Sequence, residues 1–229
     1  MKIKNLITSS VIAAGVLAGS SAANAGEIEA NVSLATDYVF RGFSQTNEDP
    51  AISGGFDYGF EGGFYVGVWA SNVNFGEGSN TSTEIDLYGG YAFDVSEQVS
   101  FDFGYVYFTY PGETDSLDYS EFLASVSISG FTLGAVFSPD YFGSDSNAVV
   151  INADYSFSLG GAWGLDLHAG FTTTEEDDIA APGDDYTDYS VAITTSGAGV
   201  DFALTFYGTD VDDVDVADER VVFSISKAF

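Results

Sequence analysis

Glu219-Arg220-Val221-Val222-Phe223-Ser224-Ile225-Ser226-Lys227-Ala228-Phe229 is the stretch whose reading decides the fold. Val221, Phe223, Ile225 and Phe229 share one parity, and Arg220, Val222, Ser224, Ser226 and Ala228 share the other. That is the period-two pattern of a strand with one apolar face and one small or polar face. A soluble protein ending on such a strand would leave an edge open to aggregation, whereas in a closed barrel the last strand pairs with the first. The rest of the chain has to supply that barrel.

Composition narrows the possibilities. The 229 residues include 35 acids against 5 bases, 27 glycines, one histidine and no cysteine, which excludes catalytic thiols, disulfides and cysteine-based metal sites. Lys2 and Lys4, the apolar run from Leu6 to Gly19 and the A-x-A site Ala23-Asn24-Ala25 predict a secretory signal peptide over residues 1–25. Its removal takes two bases and no acids, and leaves residues 26–229 as a single domain with Arg41, Arg220 and Lys227 as its only Lys or Arg residues. Such an acidic chain repels nucleic acid. Mean hydropathy is +0.12 and aromatics make up 16% of the chain, yet no stretch of the mature chain offers the roughly 18 consecutive apolar residues of a spanning helix.

The alternation begins at Ala30. Val32, Leu34, Thr36, Tyr38 and Phe40 fall on one face, with Asn31, Ser33, Asp37 and Arg41 on the other, so the pattern predicts a first strand through residue 41 and a polar loop over 42–50. Ile52, Phe56, Tyr58 and Phe60 resume it, Glu61-Gly62-Gly63 turns, and Phe64, Val66 and Val68 return. The same rhythm continues to the end of the chain. It gives about twelve strands of roughly the 9 to 11 residues that a tilted strand needs to cross a bilayer, with short and long connections alternating. The predicted fold is an all-β, closed antiparallel transmembrane barrel with short periplasmic turns and long acidic extracellular loops. Phe60, Phe64, Phe93, Phe101, Phe131, Phe157, Trp163 and Phe229 fall on the apolar parity near the short turns, as an interfacial aromatic girdle would. Lys227 shares that parity, close enough to the rim to snorkel. A secreted soluble sandwich also alternates, but needs neither the loop asymmetry nor the girdle.

The opposite parity carries the candidate pore lining: Asp37, Asp57, Glu84, Asp86, Asp102, Glu121, Asp154, Asp166, Asp188 and Asp201. Carboxylates so crowded gather counter-ions or raise one another's pKa, and the field of a wet lumen lined by them favours cations. Arg41, ending the first upward strand, and Arg220, beginning the last downward one, are expected side by side across the seam near the outer mouth. There they would form a transverse field or latch neighbouring carboxylates. His168 shares its face with Asp166, a pairing that suits a hydrogen-bonded lumenal filler better than a hydrolase site, because it lies in mid-strand. Glu175-Glu176-Asp177-Asp178 and Asp210 to Asp215 invite a calcium reading, but lack the EF-hand glycine. They fit a solvated surface bridged by divalent ions to anionic outer-leaflet lipid. No enzymatic activity, cofactor or resident metal is expected.

Thr36-Asp37-Tyr38-Val39-Phe40-Arg41-Gly42, Ser44-Gln45, Gly54-Gly55-Phe56-Asp57-Tyr58, Gly63-Phe64-Tyr65-Val66-Gly67-Val68-Trp69, Tyr110-Pro111-Gly112 and Ser138-Pro139-Asp140-Tyr141-Phe142-Gly143 resemble the TorF-family porins, also called the Gcw_chp family. The resemblance implies the outer membrane of a Gram-negative bacterium and a pore, and names no substrate. The expected function is a passive, cation-favouring porin for small hydrophilic solutes. The alternative is a closed-lumen barrel acting as a structural or surface-binding protein through its acidic loops. The expected partners are outer-membrane lipid and lipopolysaccharide, small solutes or cations, and the barrel assembly machinery through Phe229, with the barrel itself a monomer.

Overall fold

The computed structural model describes residues 26, 28–113, 117–175 and 185–229. The predicted signal peptide and the carboxylates Glu176, Asp177 and Asp178 lie outside the described residues. The strands are β1 (Ile28–Ala35), β2 (Val39–Phe40), β3 (Phe43–Ser44), β4 (Ala51–Gly59), β5 (Phe64–Asn72), β6 (Thr83–Ser96) and β7 (Val99–Thr109). They continue as β8 (Tyr119–Ile128), β9 (Phe131–Ser138), β10 (Ala148–Gly160), β11 (Trp163–Thr174), β12 (Asp185–Gly197), β13 (Val200–Thr209) and β14 (Arg220–Ala228). All but β2 and β3 form one closed antiparallel barrel of twelve strands. β1 completes it by pairing with β4 on one side and β14 on the other.

Short and long connections alternate. Two of the short ones, Ser129-Gly130 and Ala198-Gly199, take positive φ at both residues (49° and 87°, 58° and 79°). This is the primed turn whose twist matches that of the strands it joins. The seam runs from Asn31 opposite Ala228 to Ala35 opposite Ser224, and Phe229 extends it by donating its amide to the Ala30 carbonyl at 2.8 Å.

The barrel wears its apolar residues outside. Phe56 is 62% exposed and Leu204 51%, and so are large side chains of the same parity on every strand of the wall. A sandwich would bury that face, so the geometry rules out the soluble alternative and fits a wall that meets hydrocarbon. Phe60, Phe64, Phe131, Phe157, Trp163 and Phe229 point outward near the short-turn rim, and the Lys227 ammonium lies 4.8 Å from the Phe229 ring centroid. No helix among the described residues is long and apolar enough to cross a membrane.

The first strand is shorter than its alternation predicts. β1 stops at Ala35, and residues 36–50 do not continue the wall or form a free polar loop. They fold inward as a hairpin, β2 paired with β3, and fill the long-loop half of the lumen. Tyr38 and Phe40, expected on the lipid face, are buried with Val106, Phe108, Tyr110, Tyr119 and Tyr141. Val39 packs on Tyr207 and Val222 from the opposite wall, and Phe43 on Tyr186 and Ala217. An isolated two-stranded hairpin is marginal in water. This one is held by aromatic side chains each worth about 1.5–3 kcal/mol on burial.

Candidate functional site

The site is the lumen, and the hairpin divides it into two unlike halves. The hairpin turns on Arg41 and Gly42, whose φ values of 47° and 86° repeat the primed geometry of the rim turns. Gly42 is required twice over, by its positive φ and because a Cβ there would overlap the Thr209 side chain. Behind the tip, the Asp37 Oδ1 accepts hydrogen bonds from the Ser44 and Thr46 hydroxyls, both at 2.7 Å. The Gln45 amide donates to the Tyr38 carbonyl at 2.7 Å.

Three contacts tie the hairpin to the wall. The Arg41 guanidinium makes a two-pronged pair with Glu121 on β8, Nη1 to Oε1 at 2.6 Å and Nη2 to Oε2 at 2.8 Å. The Tyr38 hydroxyl donates to Glu84 on β6 at 2.8 Å. Arg220 at the head of β14 donates to Asp37 Oδ2 at 3.1 Å and lies 3.5 Å from Glu48. This corrects the expectation of two arginines side by side across the seam. Arg41 leaves the wall with the hairpin and crosses to β8, while Arg220 stays at the rim and takes Asp37, because each guanidinium finds its own buried carboxylate.

The lumen is not wet throughout. Glu84, Asp86, Glu121, Asp166 and Asp188 lie on the inward face as their parity predicts, but they are buried. Asp57, Asp102, Asp154 and Asp201 are only partly buried. In the short-turn half, tyrosines lie flat over glycines of the neighbouring strand, Tyr88 over Gly67 and Tyr65 over Gly90. Their hydroxyls donate to Asp57 and, at 2.9 Å, to Asp102. Asp201 accepts from Ser196.

His168 has different partners from the one its spacing suggests. Its Nδ1 faces Asp154 Oδ1 at 2.7 Å and its Nε2 faces Asp188 Oδ1 at 2.9 Å, across β10 and β12. Asp166 lies two residues away along β11, whereas the register sets Asp154 directly opposite His168. An ionised carboxylate only accepts, so the ring satisfies both neighbours by carrying two N–H groups.

Over the hairpin, toward the long loops, is a vestibule of about 490 Å³ walled by Phe40, Phe43, Phe75, Tyr141, Phe142 and Tyr186. The Tyr141 hydroxyl accepts from Arg41 Nη1 at 3.4 Å. In the other acidic loop, the Asp210 carboxylate caps the Thr187 amide at 2.7 Å, a structural role. Among the described residues, no three His, Asp or Glu side chains converge as metal ligands.

Tyr38, Gly42, Ser44, Thr46, Tyr65 and Tyr88 were not singled out from the sequence as site residues. The signal for the hairpin was Phe40-Arg41-Gly42-Phe43, an X-Gly pair between aromatics like the rim turns, with Asp37 and Ser44 or Thr46 placed to close it.

A closed antiparallel barrel of twelve strands, apolar outside and acidic within, has the architecture of outer-membrane-type β-barrels. The fold is similar to that of the NanC porin (TM-score 0.57, 8% identity, 88% of this chain and 98% of that one). It is also similar to the KdgM porin (TM-score 0.52, 7% identity, 88% and 97%). A third likeness is to the COG4313 outer membrane channel from Pseudomonas putida F1 (TM-score 0.52, 11% identity, 90% and 96%). The chain belongs to the Gcw_chp family, bacterial proteins of unknown function, which matches residues 19–229. Comparison with curated proteins finds no match.

Proposed function

We propose that the protein is a monomeric channel of the Gram-negative outer membrane that passes small hydrophilic solutes passively, favours cations, and is constricted in its outer half by the hairpin. The observation that carries this reading is the charge of the lumen: among the described residues its inward-facing carboxylates outnumber the basic groups Arg41, Arg220 and His168, each of which is already bonded to one or two carboxylates. Asp57, Asp102, Asp154 and Asp201 line the short-turn half that such a solute would occupy. The porin folds and the TorF resemblance support the location and the transport role. The short-turn rim then faces the periplasm, and the acidic loops meet solvent and the lipopolysaccharide leaflet.

Planar-bilayer recording with ion substitution tests it. The native barrel is expected to conduct weakly with a cation-favouring reversal potential, and a variant with residues 37–46 replaced by a short Gly-Ser link to conduct strongly with the same sign. Anion preference in the shortened variant would overturn the reading. The hairpin favours one alternative, a closed barrel serving as a structural or surface-binding protein through its loops. Silence of both proteins would select it. Phe229, outward at the seam, is the contact proposed for the assembly machinery. Phe229→Ala is expected to slow assembly in cells while leaving refolding into detergent unchanged.

A further inference from the structure

Asp86 is the anomaly of the lumen. It has no exposed surface, and neither carboxylate oxygen has a hydrogen-bond partner. Its neighbours across the strands are Trp69 on β5 and Phe108 on β7, and neither donates a hydrogen bond to it. Glu84, two residues away on the same inward face, is equally enclosed and accepts hydrogen bonds from Tyr38 and Tyr110. Arg41 spends both of its terminal nitrogens on Glu121, and Arg220 is bonded to Asp37. Neither guanidinium is therefore paired with Glu84 or Asp86. An unpaired carboxylate in a dry compartment costs several kcal/mol unless a positive charge joins it.

We propose that Asp86 and Glu84 bind an alkali-metal cation beneath the hairpin. The donors are hard oxygens with no imidazole or thiolate among them, which disfavours transition metals. No third His, Asp or Glu converges with them among the described residues, so the site lacks the ligand charge count on which calcium affinity rests. A weakly hydrated monovalent ion instead suits two carboxylates set among aromatic side chains, whose ring faces attract cations in their own right. Tyr38 makes the site depend on the hairpin: its hydroxyl bonds Glu84, and its ring packs edge-on against Trp69 with centroids 5.4 Å apart. The Tyr119 hydroxyl, on the strand beyond Phe108, is likewise buried without a partner. The inference deepens the cation-channel reading and rests on it only in taking the lumen as the route by which the ion arrives.

Crystals of the mature barrel grown in rubidium chloride test the site by anomalous scattering. A rubidium peak is expected at coordination distance from the Asp86 carboxylate, absent in Asp86→Asn and weakened in Glu84→Gln. Thermal unfolding in detergent gives a second reading. The native midpoint is expected to rise when potassium replaces N-methylglucamine at equal ionic strength, whereas Asp86→Asn, folded by heat-modifiable migration, shows no such rise. No rubidium peak together with a potassium-independent native midpoint would overturn the proposal and leave Asp86 carrying a proton. Conductance separates the two readings. A silent barrel that holds rubidium overturns the channel and keeps the site, and a conducting barrel with neither a rubidium peak nor a potassium-dependent midpoint overturns the site alone.

Discussion

Arg41 and Glu121, eighty residues apart in sequence, meet in the lumen as a two-pronged ion pair of 2.6 and 2.8 Å, with their side chains 11% and 2% exposed. The pair fastens the tip of the inward hairpin to the far wall. Removing one partner leaves the other charged and unpaired in a compartment that excludes water. Arg41→Ala is therefore expected to destabilise the barrel by about 3–5 kcal/mol, read from denaturant unfolding in detergent. Arg41→Met with Glu121→Gln should recover much of that loss, because no charge then stays buried alone. A single variant as stable as the native barrel would show that the pair does not hold the hairpin.

Gly42 gives an independent handle on the same element. Its φ of 86° and the close approach of Thr209 leave no room for a side chain, so Gly42→Val is expected to displace the tip without removing a charge. Trypsin makes this visible, because Arg41, Arg220 and Lys227 are the only Lys or Arg residues after residue 25. In the native barrel the buried Arg41 should resist cleavage. In the variant, a cut after residue 41 should appear under conditions that leave the strands intact.

The wall was legible in the sequence and the hairpin was not, for one physical reason. Period-two alternation reports which face a side chain takes within a sheet, and it fixed the twelve strands, the outward aromatics and the inward acids because a one-residue slip would turn every one of them around. Tyr38 and Phe40 kept the parity of Val32 and Leu34 while the backbone left the wall at Ala35. Alternation cannot tell a strand facing lipid from a hairpin buried in a lumen, since both want apolar side chains at every second position. Seen in the structure, the motif from Thr36 to Thr46 that carries the family likeness is the blueprint of the hairpin. Asp37 closes its base with Ser44 and Thr46, Tyr38 and Arg41 reach the wall, and Gly42 makes the tip. The partners of His168 were hidden for a related reason, because register across strands, not spacing along one, decides who meets whom.

His168 bridges β10, β11 and β12 through Asp154 and Asp188. His168→Gln keeps a side chain of similar reach but cannot donate in two opposite directions as a cation, so two carboxylates lose their shared charge. The expected outcome is a lower unfolding midpoint and, in bilayers, a reversal potential shifted further toward cations. Asp154→Asn added to His168→Gln should return the selectivity toward its native value, because the net charge of the lumen is then restored. A selectivity unmoved by either change would place this clamp off the conduction path.

The acids of the short-turn half offer the most direct test of selectivity. Asp57 and Asp102 each accept a tyrosine hydroxyl, and the carbonyl oxygen of Asn accepts it as well, so Asp57→Asn and Asp102→Asn remove charge while leaving the packing in place. A unit charge about 6 Å from a passing ion is worth about 0.7 kcal/mol at the dielectric of water and about 3 kcal/mol at an effective value of 20. Each substitution should then lower the cation preference by at least about threefold, and the double variant by more. The change is expected at low salt and should shrink in 1 M salt, where the screening length falls to about 3 Å. A loss of preference that persists undiminished at high salt would mean that the substitutions had reshaped the lumen instead of discharging it.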